Sequence, residues 1–190
     1  MFSETPDMRV TAEATNGQAA LEIASRESFE VVLLDLGMPG RGGLDILKDL
    51  TSRRPPMRVL VLSIYAEEQY ALPCLQEGAY GYLSKASSLA DVVRAARVIA
   101  GGERYITHSL AQKMAMLLPE NRAQPGHHRL STRELQILTL LGAGKTITQI
   151  SRELSLSPKT IATYRARILP KLGLETTAEL IRYALQNGLV

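Results

Sequence analysis

The periodicity of this chain changes once, and that change limits its possible folds more than any other feature. Through residues 9–100, short β-rich runs alternate with stretches of helical length. The runs are "RVTAEA" (9–14), "VVLLD" (31–35), "RVLVLS" (58–63) and "YGYL" (80–83), and the helix-like stretches are 17–27, 43–53, 67–77 and 88–100. Such alternation predicts a parallel sheet with helices on both faces, an α/β doubly wound fold. From Ser131 onward no strand signal remains.

Four helix starts replace it. "STRE" (131–134) is a capping box, with Ser131 covering backbone donors and Glu134 reaching back. "TITQ" (146–149) and "TTAE" (176–179) repeat the pattern. "SPKT" (157–160) puts Ser157 at the cap and Pro158 at the first helical position, where its missing N–H costs nothing. Glycines 142, 144, 173 and 188 sit where helices should stop. Four helices in so short a span predict a compact all-α four-helix domain. Only "SLS" (155–157) separates the second from the third, a helix-turn-helix spacing.

Charge divides the chain in the same way. Residues 1–100 carry 10 Lys/Arg against 13 Asp/Glu, and residues 129–190 carry 9 against 4. An acidic front module and a basic rear one point the rear toward a polyanion. We read 1–101 as the first domain and 102–128 as a linker with a possible helix at 109–118. The second domain is 129–190. "PENRAQPGHHR" (119–129) has linker composition, so His127 and His128 are read as solvated linker residues rather than metal ligands. No apolar run reaches membrane-spanning length, and "MFSETPD" is no signal peptide. The single cysteine, Cys74, excludes an internal disulfide, fits a cytoplasmic location, and is read as a buried small hydrophobe.

In a parallel sheet, chemistry gathers at the C-terminal strand ends. Asp35 ends one run, Ser63 ends the next, and Lys85 follows "YGYL". An ionised carboxylate there is costly unless solvated, paired or metal-bound. A carboxylate, a hydroxyl and an ammonium converging at one point can accept, hold and neutralise a phosphoryl group. "GAGKT" (142–146) imitates a phosphate loop, but Thr139 stands where the first glycine is needed, and a helical pattern precedes it where a strand is required.

These motifs resemble the flavodoxin-like receiver domain of two-component response regulators. "LLDLGMPG" resembles the phospho-acceptor motif, "VLVLS" carries the switch hydroxyl, and "GYLSK" carries the aromatic and the lysine. The resemblance implies that Asp35 accepts phosphate, Ser63 bonds it, Lys85 pairs with it, and Tyr82 is the rotating aromatic. Asp35 and the Gly37 position would contribute to an Mg²⁺ site. The pattern is incomplete. The acidic pair that ends the family's first strand is missing, and so is that strand, so an upstream extension carrying both is expected. Gly42 and Ala86 replace an acid and a proline frequent in the family.

Residues 129–190 resemble the LuxR-type helix-turn-helix of NarL/FixJ regulators almost continuously. Ile161, Ile168 and Leu172 recur at helical spacing and form the core face of the third, recognition helix. By resemblance, Ala162, Thr163 and Ala166 point at base edges. Lys159, Arg165, Arg167 and Lys171 are placed for phosphates, and Thr160 and Tyr164 belong to the same surface. Pro170 should kink the helix or end it early. Thr148-Gln149 stands where Asn-Lys is frequent in the family and removes a phosphate contact. The resemblance implies a non-enzymatic DNA-binding transcriptional response regulator, switched by aspartyl phosphorylation from a histidine kinase or small phospho-donor. It would act as a homodimer on double-stranded DNA. The departures leave two rivals. One is a phosphorylation-independent DNA-binding protein with a degenerate receiver. The other is an interaction module that sequesters an intact regulator or kinase.

Overall fold

The computed structural model describes residues 5–38, 43–53, 56–117 and 126–190. Gly42 and the linker stretch 119–125 lie outside them. The chain divides into two compact units, Met1–Met114 and Ala115–Val190.

The first unit contains a three-stranded parallel sheet, β1 (Val32–Asp35), β2 (Val59–Ser63) and β3 (Gly81–Ser84), in the order β1-β2-β3. Helices α1 (Gly17–Arg26), α2 (Gly43–Thr51), α3 (Glu67–Gln76) and α4 (Leu89–Ala100) alternate with the strands. Strand alternation places Leu60, Leu62 and Leu83 on one face, where Val92, Ala95 and Ile99 of α4 bury them. On the other face lie Val59, Val61, Ser63 and Tyr82, all buried. Helix α4 packs on β2 and β3, and Leu33 of β1 remains 37% exposed.

Residues 9–14 do not form the expected strand. A parallel strand needs a neighbour with which to exchange hydrogen bonds, and the described residues place none beside β1 except β2. The opposite sheet edge holds a contact the sequence reading missed. Tyr105 bridges Gly81, donating its N–H to the Tyr80 carbonyl at 2.9 Å. A Cβ at position 81 would meet the Tyr105 carbonyl at 3.1 Å, so the close approach favours glycine.

Residues 102–114 therefore belong to the first unit, not to a linker. Thr107 Oγ1 donates to the Glu67 carboxylate, and Lys113 Nζ donates to the Glu68 carbonyl. The expected helix in this stretch is α5 (His108–Leu117).

In the second unit, the residues described from 126 onward begin with a 3₁₀ turn, Gly126–Arg129. Four helices follow: α6 (Thr132–Gly142), α7 (Ile147–Glu153), α8 (Pro158–Leu172) and α9 (Thr177–Gln186). The capping boxes at Ser131, Thr146 and Thr176 all form, and Ser157 caps α8 with Pro158 inside its first turn. Ser155 takes φ 52° in the short turn between α7 and α8.

Two details differ from expectation. Helix α8 runs through Pro170 to Leu172 and closes on left-handed Gly173. The backbone bond lost at Pro170 orphans the carbonyl of exposed Ala166, which water can satisfy. Gly142 does not stop α6 by its backbone conformation but serves packing. A Cβ there would lie 2.5 Å from the Ala184 Cβ of α9.

Candidate phospho-acceptor site and nucleic-acid interface

The parallel register brings Asp35 opposite Leu62 and Ser63 opposite Ser84, so the three strand ends meet at one edge. The Lys85 N–H donates to the Ser63 carbonyl at 2.8 Å, continuing the ladder one residue past β3. That aims the Lys85 side chain back across the sheet. Its Nζ donates to Asp35 Oδ2 at 2.6 Å. The other carboxylate oxygen, Oδ1, accepts the Gly37 N–H at 2.8 Å. Both side chains remain partly solvated, with 33% of Asp35 and 44% of Lys85 exposed.

Gly43 makes this geometry possible from the other side. A Cβ at that position would fall 2.3 Å from the Asp35 carbonyl oxygen, so the start of α2 can approach β1 only as glycine.

Ser63 is fully buried, and its Oγ accepts the Tyr65 N–H at 3.1 Å. Tyr82 lies inward at 1% exposure and donates its hydroxyl to the Tyr65 carbonyl at 2.8 Å. Burial raises the Tyr82 phenol above its ordinary range, against a hydrogen bond with Ser63 that lowers it. Tyr65 stacks on Tyr70 with ring centroids 4.8 Å apart. Tyr65, whose backbone bonds both Ser63 and Tyr82, was not legible in the sequence, because a backbone N–H and carbonyl leave no side-chain signature.

Receiver domains as a class use Mg²⁺ for phosphorylation. Among the described residues, the donor set does not fit one. No group of three His, Cys, Asp or Glu residues that could hold a metal occurs among the described residues. Asp35 stands with one oxygen on an ammonium and the other on a backbone N–H, whereas Mg²⁺ demands near-octahedral oxygen coordination. Gly37 contributes its N–H to the carboxylate.

In the second unit, α8 turns Ile161 and Ile168 into the core and half-buries Leu172. Lys159, Thr163, Ala166, Arg167 and Pro170 are exposed, and Ala162 is half-buried. Among the described residues, no hydrogen bond or ion pair engages the side-chain nitrogens of Lys159 or Arg167. Arg167 lies 5.9 Å from the centroid of the Tyr164 ring. Thr160 is occupied locally, its Oγ1 2.8 Å from the Ser157 Oγ that caps the helix.

Two cations expected at phosphates have partners within the unit. Arg165 Nη1 donates to Thr177 Oγ1 of α9 at 2.7 Å. Lys171 Nζ donates to Glu134 Oε2 at 2.6 Å, and that carboxylate is only 4% exposed. Their positions on the helix were legible, but the partners that hold them come from α9 and α6.

His127 is likewise not a solvated linker residue. Its N–H donates to the Tyr183 hydroxyl at 3.1 Å, and its Nδ1 lies 3.0 Å from the same oxygen. "GAGKT" lies at a helix–helix turn behind α6, and its Lys145 pairs with Glu153.

Residues 1–97 match the response regulator receiver domain, and residues 128–184 match the bacterial regulatory proteins of the luxR family. The response regulator UvrY of Escherichia coli K12 is 36% identical over 191 residues, a match that covers 100% of this chain and 87% of UvrY. The response regulator GacA of Pseudomonas aeruginosa is 34% identical over 192 residues, covering 100% of this chain and 89% of GacA. In fold, the chain is similar to Salmonella enterica RcsB solved on promoter rprA with a phosphomimetic. The TM-score is 0.61 at 23% identity, covering 92% of this chain and 84% of RcsB. The chain belongs to the two-component response regulators that join a receiver to a LuxR-type helix-turn-helix. It is a DNA-binding transcriptional regulator rather than an enzyme. Among the described residues, no helix is long and apolar enough to cross a membrane.

Proposed function

We propose that Asp35 is the phospho-acceptor of a cytoplasmic transcription regulator whose output is duplex-DNA binding through α8. The apposition of Asp35 and Lys85 at 2.6 Å, beside the Ser63 strand end, carries this reading. An Asp35 carboxylate oxygen attacks phosphorus on a histidine kinase or a small acyl phosphate. The bond from phosphorus to the donor breaks, and the donor leaves with the electron pair. Lys85 neutralises charge on the new acyl phosphate. Ser63 is held by the Tyr65 N–H in the present structure. Its move to a phosphoryl oxygen would release Tyr65, and with it the carbonyl that anchors Tyr82.

On DNA, Lys159 and Arg167 would contact phosphates, while Thr163, Ala162 and Ala166 would face base edges, with Tyr164 beside them. Arg165 and Lys171 act structurally in this reading. Two copies would bind together, in keeping with a half-site geometry. Exposed Leu185 and Val190, at 59% and 50%, give the α9 end an apolar surface for that contact.

A second reading is favoured by one observation, the missing metal donors among the described residues: DNA binding without phosphorylation. Incubation with acetyl phosphate, with and without Mg²⁺, followed by intact-mass measurement separates the two. Addition of one phosphoryl group that Asp35→Asn abolishes supports the acceptor role. Unchanged mass alongside intact DNA binding supports the degenerate receiver.

A further inference from the structure

Resting on the DNA-binding reading of α8, we infer that this helix reads its site chiefly through thymine methyl groups, with Thr163 and Ala166 as the specificity-determining residues.

The inventory of the exposed face leads there. "PKTIATYRARILPKL" contains no Asn, Gln, Asp, Glu or His. The helix therefore has no amide for the bidentate pair that reads adenine and no carboxylate for the cytosine amino group. The side-chain donors that remain are the Thr160, Thr163 and Tyr164 hydroxyls and the cations. Thr160 is tied to Ser157 at the cap. Arg165 and Lys171 are tied to Thr177 and Glu134. Thr163 donates its hydroxyl proton to the Lys159 carbonyl at 2.9 Å. What Thr163 has left for a base edge is a methyl group and oxygen lone pairs.

Ala166, one turn further on, is exposed and offers only a methyl. Lys159 and Arg167 bracket this apolar surface with positive charge. Cations at the edges and methyl groups between them suit a backbone-anchored helix whose centre meets an apolar part of the groove. The thymine C5-methyl is the apolar group that the major groove displays. Guanine recognition by Lys159 or Arg167 is the competing chemistry, and it requires no methyl.

The experiment uses the full chain. Preferred duplexes are selected from a random-sequence pool and made again with deoxyuridine in place of thymidine, one position at a time. Uracil keeps every hydrogen-bonding atom of thymine and lacks only the methyl. At one or more positions in each half-site, the substitution should weaken binding roughly fourfold, the loss expected for one buried methyl. Thr163→Ser keeps the hydroxyl and its bond to the Lys159 carbonyl, so the fold is preserved. This variant should bind thymine and uracil duplexes alike at the position Thr163 touches. Ala166→Gly should do the same at a second position. If the selected duplexes bind equally well with uracil throughout, or if Thr163→Ser leaves the uracil penalty unchanged, the methyl readout is wrong. If the chain binds no duplex at any salt concentration, the DNA-binding reading falls with it.

Discussion

Lys171 at the end of α8 holds the Glu134 carboxylate at the start of α6, with Nζ and Oε2 2.6 Å apart. Glu134 also accepts the Ser131 N–H at 2.8 Å, so one buried carboxylate closes a capping box and anchors α8. Lys171→Met would leave that charge without its ammonium. The expected cost is about 1–3 kcal/mol of stability, read from urea denaturation. An unchanged midpoint would show that the pair contributes nothing.

Arg165 and Thr177 tie α8 to α9 in the same manner. Thr177→Val keeps the shape of the side chain and removes the acceptor. The expected loss is about 1 kcal/mol, without a change in the salt dependence of DNA binding. A changed salt slope in Thr177→Val would mean that Arg165 takes part in phosphate binding.

Close packing sets two glycines apart. Gly142→Ala would drive a Cβ to 2.5 Å from that of Ala184, and should destabilise the second unit by roughly 1–3 kcal/mol. Gly43→Ala would collide with the Asp35 carbonyl and should disturb β1. Thermal melts of each variant test both, and melts that superimpose on the parent would refute the contacts.

These contacts show where reading the sequence succeeded and where it failed. The caps at Ser131, Thr146, Ser157 and Thr176 were legible because capping is local chemistry within four residues. The approach of Lys85 to Asp35 was legible because parallel strand ends fall on one edge. Residues 9–14 misled because β-propensity produces a strand only beside a partner. Tyr105 was missed because a single bridge leaves no periodicity. The basic residues of α8 looked equivalent in sequence. Only tertiary partners separate Arg165 and Lys171 from Lys159 and Arg167.

The cap of α9 should be sensitive to acid. Glu179 accepts the Glu175 and Thr176 N–H groups at 2.8 and 3.0 Å, and these bonds hold its carboxyl below the ordinary value of 4.5. A depressed folded-state value means the stabilisation is present above the unfolded value and is lost as pH falls through the folded one. Helix α9 should therefore weaken on acidification below about pH 4.5, and Glu179→Gln should remove that part of the pH dependence. Paired denaturation curves across this range check it, and parallel profiles would contradict it.

The most direct test of the account is the dependence of duplex-DNA affinity on salt for the full chain and four single alanine variants. Each phosphate contact contributes about 0.9 to the slope of log affinity against log salt. Lys159→Ala and Arg167→Ala should each reduce the slope by about that amount on every sequence. Arg165→Ala and Lys171→Ala should lower stability and leave the slope of the folded protein unchanged. Equal slope losses in all four variants, or none in Lys159→Ala and Arg167→Ala, would contradict the division of the α8 cations into phosphate-contacting and structural pairs.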